Sequence, residues 1–193
     1  RALQQALDEL DANADVKLTW RAFELNPNMP TEGQNKDEHL QQKYGLTPEQ
    51  GQANRQNLID RGKSVGYDFV FPENGRVYNT FNAHRLIHWA ASYGLQTQLK
   101  LALFDLYFQQ GGNPDDDEQL LKCVELVGLP VDKAQVFLDT DDSVKEVRAE
   151  QALTQKQGIS AVPAFILDDK YLISGGQPKD TFINALNELR SQP

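Results

Sequence analysis

The chain has 193 residues, a formal net charge of −9 and a hydrophobic fraction of 39%, which fits one globular domain or one domain with a large insertion. The excess of acidic residues argues against nucleic-acid binding, so no nucleic-acid partner is expected. No apolar run approaches the roughly 18 residues of a membrane span, so no membrane partner is expected. The single cysteine, Cys123, excludes an internal disulfide, and no signal-peptide pattern is present; a reducing, cytoplasmic location is therefore expected.

The N-terminal part of the sequence predicts a helix followed by a strand. Apolar side chains recur at helical spacing in residues 1–10. Residues 16–24 alternate between apolar and polar side chains, which is typical of a half-buried strand. Residues 26–35 contain two prolines and one glycine and predict a loop.

The middle of the chain, from about residue 37 to residue 157, has a helical pattern. Thr47 and Gln50 form the capping-box pattern at the start of one of its helices. Asn79 or Thr80 is expected to cap another of these helices.

The C-terminal part changes character. Two short β-rich runs, residues 163–167 and 171–174, are joined by a polar turn and predict a β-hairpin, and a final amphipathic helix follows. Strands at both ends of the chain with helices between them indicate an α/β domain with an all-α insertion. We expect residues 1–36 and 146–193 to form the α/β domain and residues 37–145 to form the insertion.

The segment Ala161-Val162-Pro163-Ala164-Phe165 opens the predicted hairpin after a helix that ends at Gly158. Proline is tolerated at the first position of a strand because its missing N–H can face outward. Only about 5–6% of X–Pro bonds are cis, so an ordinary trans proline is the common case. The spacing alone leaves a trans proline and a cis-proline loop both open.

Four motifs occur in order along the whole chain: Phe23-Glu24-Leu25-Asn26-Pro27, Asn79-Thr80-Phe81-Asn82-Ala83-His84-Arg85-Leu86, Ala161-Val162-Pro163-Ala164-Phe165 and Ser174-Gly175-Gly176-Gln177-Pro178. With them the chain resembles the DsbA-like family. It is most similar to the FrnE-like branch, which is related to 2-hydroxychromene-2-carboxylate isomerases and kappa-class glutathione transferases. The resemblance implies an α/β structure, a thioredoxin fold with a large all-α insertion, and a cis proline at Pro163.

The resemblance also implies thiol–disulfide oxidoreductase activity, carried by a Cys-x-x-Cys pair at the start of the first helix. There the helix dipole lowers the pKa of the attacking thiol. The numbered chain contains neither cysteine, so we expect the pair and the first strand to precede Arg1; the competing explanation is a lost redox site. No cofactor and no metal is expected.

The implied substrate is a thiol or disulfide, on a protein or a small molecule. The backbone of Val162 is expected to pair with the bound chain as a short β-bridge. The residues implied to contact the substrate are Asn26, Asn79, His84, Val162, Pro163, Gly176 and Gln177.

Two other functions stay open. The first is a glutathione-dependent isomerase or transferase, with glutathione as co-substrate; in those relatives an acidic residue helps to hold glutathione where this chain has Gln177. The second is a non-catalytic thioredoxin-like binding module. The residues before Arg1 discriminate among the three functions.

Two further side-chain patterns have simpler explanations than a site. Cys123 lies on an apolar helical face and is expected to be buried and inert. His84 and His88 have a spacing that can bind zinc, but no acidic residue lies between them. We expect instead that His84 and Arg85 form hydrogen bonds to the thioredoxin half, with His84 lining the substrate cleft.

Overall fold

The computed structural model describes residues 1–10 and 16–191. The chain divides into two compact units, which we call the hairpin unit (Arg1–Leu18 with Ala152–Pro193) and the helical unit (Thr19–Gln151). The helical unit includes residues 19–36, which the sequence prediction placed in the thioredoxin-like part. Backbone groups in this segment are hydrogen-bonded to side chains of the helices, as described below for Trp20 and Ala22.

Nine helices and four short strands are assigned in the described residues. The helices are α1 (Ala2–Glu9), α2 (Lys36–Tyr44), α3 (Pro48–Ser64), α4 (Phe81–Ala90), α5 (Gln96–Phe108), α6 (Asp117–Leu126), α7 (Val131–Leu138), α8 (Val144–Lys156) and α9 (Lys179–Ser191), with a 3₁₀ turn at Ala91–Tyr93. The strands are β1 (Gln34–Asn35), β2 (Arg76–Val77), β3 (Ala164–Leu167) and β4 (Tyr171–Ser174).

The core of the helical unit lies among α4, α5, α6 and α7, whose apolar faces pack together. Leu86, Leu99 and Leu120 are completely buried there, and burial of such side chains is the main force that holds the helices together. The predicted capping box of α3 is confirmed. Thr47 Oγ1 accepts from the Gln50 N–H at 3.3 Å, and Gln50 Oε1 accepts from the Thr47 N–H at 2.9 Å.

The hairpin unit contains the predicted hairpin, with β3 and β4 antiparallel and Phe165 opposite Ile173. The turn between them places Asp168 and Asp169 at φ of 51° and 53°, a left-handed conformation that aspartate adopts more readily than most residues. One face of the hairpin packs on α9, where the Phe165 and Phe182 rings meet edge to face with centroids 4.8 Å apart. Helix α1 also packs on α9.

The strand predicted over residues 16–24 is wrong, since no strand is assigned there among the described residues. A strand requires backbone hydrogen bonds to a neighbouring strand. The Trp20 N–H instead donates to Gln96 Oε1 at 2.9 Å, and the Ala22 N–H donates to Glu150 Oε2 at 2.9 Å. Side chains of α5 and α8 thus satisfy backbone groups that a strand would otherwise pair.

The loop predicted over residues 26–35 also needs one correction. Its last two residues form β1, which pairs antiparallel with β2. The partner strand is far away in sequence, so the local proline and glycine pattern gave no indication of it.

Candidate functional site

The turn before β3 has the conformation that the resemblance implies. Gly158 ends the preceding helical segment with a φ of 80°, a left-handed conformation that favours glycine. The Val162–Pro163 peptide bond is cis, and Ala164 begins β3 directly after it. The turn is therefore fixed between a helix end and a paired strand.

The two predicted binding loops of the hairpin unit lie side by side. The Gly175 N–H donates to the Pro163 carbonyl at 2.8 Å, and Gln177 Nε2 donates to the Ser174 carbonyl at 2.8 Å. The structure thus brings the Val162–Pro163 turn next to the loop that contains Gly176 and Gln177.

The backbone of Val162 is unpaired. The residue is 44% exposed, and neither its N–H nor its C=O is hydrogen-bonded within the part of the chain that the structure describes. An unpaired backbone donor and acceptor next to a strand can bind an extended peptide by forming a short β-bridge.

The other predicted binding residues, Asn26, Asn79 and His84, belong to the helical unit. Thr80 holds the N-cap position of α4 but makes no side-chain capping bond; the first N–H of the helix, that of Phe81, donates instead to Asn79 Oδ1 at 2.8 Å. Its Nδ2 donates to the Met29 carbonyl at 3.2 Å and connects α4 to the loop that follows Asn26. Asn26 Oδ1 accepts from Lys43 Nζ at 2.6 Å.

Sequence reasoning missed a polar cluster around Glu24. This carboxylate is buried, with its side chain 2% exposed, and its Oε2 accepts from Arg148 Nη1 and from Gln151 Nε2, the latter at 3.0 Å. Its Oε1 is buried and has no hydrogen-bond partner among residues 1–10 and 16–191. One sequence signal could have found the residue, because Glu24 continues the apolar face of the alternating segment, where an acidic side chain must be buried with a partner.

His84 lies beside this cluster on α4 and near the backbone of Phe23. Burial lowers the pKa of His84, and the charges of Glu24 and Glu150 only partly oppose this effect. The imidazole is therefore neutral near pH 7.

Arg85 does not form the hydrogen bonds that the sequence predicted. Its guanidinium is buried and donates to backbone carbonyls at the end of α7 and in the following loop, among them Phe137 at 2.8 Å and Asp142 at 3.1 Å. These carbonyls belong to the predicted insertion and not to the predicted thioredoxin half. The last carbonyls of a helix have no partner within it, so a buried guanidinium is well suited to this place.

Acidification is expected to destabilise the protein through His84. Since the folded state holds the pKa of His84 below its usual value, the unfolded state binds the proton first, and the free energy of unfolding falls as the pH drops below about 6.5. The slope from one such group is at most about 1.4 kcal/mol per pH unit. In urea unfolding between pH 7.5 and 5.5, the free energy of unfolding should fall more steeply with decreasing pH for the wild type than for His84→Gln. His39, whose pKa burial also lowers, is present in both proteins, and its contribution cancels. Parallel curves would refute this role of His84.

Cys123 is buried in the helical core, as predicted. Burial, and in second place the negative charge of Asp105, raises the pKa of its thiol to about 11. The thiolate is the reactive form of cysteine, so Cys123 is a poor nucleophile near neutral pH.

Native Cys123 should react with an aromatic disulfide reagent at pH 8 on the order of a hundredfold more slowly than the same residue in urea-unfolded chain. The reason is the small thiolate fraction, with burial as a second barrier. Absorbance of the released thiolate follows both reactions. Comparable rates in the two states would contradict the inert role.

Within residues 1–10 and 16–191, no group of three or more His, Cys, Asp or Glu side chains is arranged to hold a metal ion. Within the same residues, each helix is too short or too polar to cross a bilayer.

Comparison with known proteins gives one family and several relatives. The model of a family described as a DSBA-like thioredoxin domain matches residues 1–187. The uncharacterized protein YwbO of Bacillus subtilis (strain 168) is 27% identical over 186 residues, which is 95% of this chain and 87% of the relative.

Two solved structures extend the comparison. A probable DsbA oxidoreductase from Streptomyces coelicolor aligns with a TM-score of 0.90 and 28% identity, covering 100% of this chain and 83% of that one. A 2-hydroxychromene-2-carboxylate isomerase aligns with a TM-score of 0.67 over 98% of this chain and 89% of that one. Its 16% identity shows a common fold alone.

Proposed function

Since this chain belongs to the DSBA-like thioredoxin domain family and has the α/β thioredoxin fold with a helical insertion, we propose that it is an enzyme that catalyses thiol–disulfide exchange. The substrates are thiols or disulfides of proteins or small molecules. The observation that carries the proposal is the family match over nearly the whole chain, together with the structural likeness to a DsbA oxidoreductase at 28% identity.

In this reaction a thiolate attacks one sulfur of a disulfide, and the other sulfur leaves as a thiolate. A second thiol then attacks the mixed disulfide and releases the product. Cys123 does not supply the attacking thiolate, because it is buried and its pKa is raised to about 11. In our proposal the reactive pair is the Cys-x-x-Cys that the resemblance implies ahead of Arg1.

The turn at Val162 and Pro163 holds the substrate chain in this proposal. Support comes from the exposure of Val162 and from its backbone N–H and C=O, which have no partner among the described residues. An extended substrate segment would form a short β-bridge there, which positions its sulfur without requiring a particular sequence. Gly176 and Gln177 directly follow Gly175, whose N–H donates to the Pro163 carbonyl, and in this proposal they contact the same substrate.

A glutathione-dependent isomerase or transferase receives less support. A neutral Gln177 stands where glutathione-using relatives have an acidic residue, and its amide nitrogen is already bonded to the Ser174 carbonyl. It therefore lacks the charge that would hold the γ-glutamyl ammonium group.

The full-length native protein tests the proposal in an assay that follows oxidation of a fluorescent dithiol peptide with oxidised glutathione as the electron acceptor. We expect the wild type to turn over the peptide. The turnover rate of Val162→Pro should be at least about tenfold lower, because proline lacks the N–H that a β-bridge uses. The matched control, Ile166→Pro on the exposed face of β3, reports general damage to the hairpin. Turnover only with reduced glutathione and an electrophile would favour the isomerase or transferase, and equal rates for Val162→Pro and the wild type would contradict the docking role.

A further inference from the structure

One lysine of the helical unit lies against two aromatic rings and has no polar partner. Lys100 Nζ is 3.7 Å from the centroid of the Trp20 ring and 3.6 Å from the centroid of the Phe104 ring, which follows it by about one turn of α5. Within residues 1–10 and 16–191, the ammonium forms no hydrogen bond and no ion pair. Lysine ammonium groups are normally hydrated or paired with a carboxylate, so this environment is unusual.

Both rings are held in place by contacts of their own. The Trp20 N–H donates to Gln96 Oε1 at 2.9 Å, and Gln96 Nε2 donates back to the Trp20 carbonyl at 3.1 Å. The indole Nε1 of Trp20 donates to Thr97 Oγ1 at 2.9 Å. The Phe104 ring packs edge to face on Phe108, with centroids 5.6 Å apart. The two rings therefore displace water from around the ammonium.

The loss of water around Lys100 favours its neutral amine. Burial lowers the pKa of this side chain from 10.5 to about 8, and no neighbouring charge opposes the shift. The two cation–π contacts favour the ammonium, but they offset only part of the cost of removing an ammonium from water. With a pKa of about 8, about one quarter of the amine is neutral at pH 7.5, compared with about 0.1% for an ordinary lysine. The neutral amine is the nucleophilic form of lysine.

Solvent reaches this part of α5, because Phe104 is 40% exposed, Leu101 is 47% exposed and Lys100 itself is only partly buried. We propose that Lys100 is a nucleophilic lysine that is acylated by small acyl thioesters. The lone pair of Nζ attacks the carbonyl carbon of the thioester, the C–S bond breaks, and the sulfur leaves as a thiolate. The nitrogen loses its proton to water, and the product is a neutral amide.

An acyl group suits this place better than a modification that keeps the charge. Methylation of a lysine retains the positive charge, whereas acylation removes it. Since the surroundings of Lys100 lack a hydrogen-bond acceptor or an anion for its ammonium among the described residues, the neutral amide relieves the cost of the buried charge.

Acetylation of the full chain by a small acetyl thioester tests this proposal. Mass spectrometry of the peptides released by a Glu-specific protease measures the initial rate at each lysine between pH 7 and 10. Lys133 is the internal control, since it is exposed on α7 and has no hydrogen bond or ion pair from its side chain within the described residues. The variants are Phe104→Ser, which admits water to the ammonium, and Leu101→Ser, which changes an exposed neighbour on α5 that is not one of the two rings.

We expect acetylation at Lys100 to be at least about tenfold faster than at Lys133 at pH 7.5. This advantage is smaller than the ratio of the neutral fractions, because a weaker base is a weaker nucleophile and Lys100 is partly buried. The rate at Lys100 should level off above about pH 8, while the rate at Lys133 keeps rising. Phe104→Ser should slow acetylation of Lys100 although it opens access to the amine, and Leu101→Ser should leave the rate unchanged.

The proposal is overturned if Lys100 reacts no faster than Lys133, if Phe104→Ser speeds acetylation of Lys100, or if Leu101→Ser slows it as much as Phe104→Ser does. Circular dichroism verifies that each variant is folded, and the comparison of two lysines within the wild-type chain requires no variant. Neither measurement uses disulfide exchange, so this inference and the proposed function can fail separately.

Discussion

Replacing Arg85 with methionine is expected to lower the free energy of unfolding by about 3–4 kcal/mol. The guanidinium is buried and donates to the carbonyls of Phe137, Leu138, Thr140 and Asp142. Methionine fills a similar volume but donates no hydrogen bond. The buried Leu138 carbonyl would lose its Arg85 donor, at about 1–3 kcal/mol, and the Phe137 carbonyl would keep only the Thr140 hydroxyl at 3.2 Å. The loss of the charge-assisted bonds to Thr140 and Asp142 adds to this cost.

Urea unfolding of the wild type, Arg85→Met and Arg85→Lys measures this effect. Lysine keeps the charge but cannot reach several carbonyls at once. The free energy of unfolding of Arg85→Lys should therefore lie between those of the wild type and Arg85→Met. Arg55→Met is the matched control, because Arg55 forms an ion pair with the exposed Asp37 and its removal should cost less than about 1 kcal/mol. A loss for Arg85→Met no larger than that of Arg55→Met would show that the carbonyl contacts do not stabilise the fold.

The second large effect concerns the pair of Glu24 and Arg148. Arg148→Met should cost about 2–3 kcal/mol, since it leaves a buried carboxylate without its cation and removes the stacking of the guanidinium on Phe81, 3.6 Å from the ring centroid. This expected loss of stability is smaller than the loss from breaking a fully buried ion pair, because the Arg148 side chain is 45% exposed.

A double-mutant cycle separates the buried charge from the lost contacts. Glu24→Gln alone should cost less than Arg148→Met, because the half-exposed Arg148 can turn to solvent while the buried carboxylate cannot. Adding Glu24→Gln to Arg148→Met should recover about 1 kcal/mol or more. If the two single losses simply add, the uncompensated charge is not the source of the effect.

The sequence correctly predicted those secondary-structure elements whose formation depends on residues close together in the chain. The capping box at Thr47 and Gln50 and the hairpin turn at Asp168 and Asp169 both depend on residues within a few positions of each other. The sequence therefore located α3 and the β3–β4 hairpin.

Features that depend on distant partners could not be found in the same way. Residues 16–24 have the alternation of a strand, yet the N–H groups of Trp20 and Ala22 donate to the side chains of Gln96 and Glu150 and not to a neighbouring strand. The partner of Glu24 is Arg148, which is 124 residues away. No periodicity or spacing within one segment reports such a pairing, so the Glu24 cluster and the contacts of Arg85 required the three-dimensional structure.

Catalysis of disulfide exchange by the full-length Cys123→Ala protein is the most direct test of the proposed function. The protein is mixed with oxidised glutathione, which accepts the two electrons, and with a reduced dithiol peptide, and fluorescence follows formation of the peptide disulfide. We expect a rate equal to that of the wild type and at least about tenfold above the uncatalysed reaction, because the buried Cys123 takes no part in the exchange. A rate no higher than the uncatalysed one, or activity in the wild type that disappears with Cys123→Ala, would contradict the proposal.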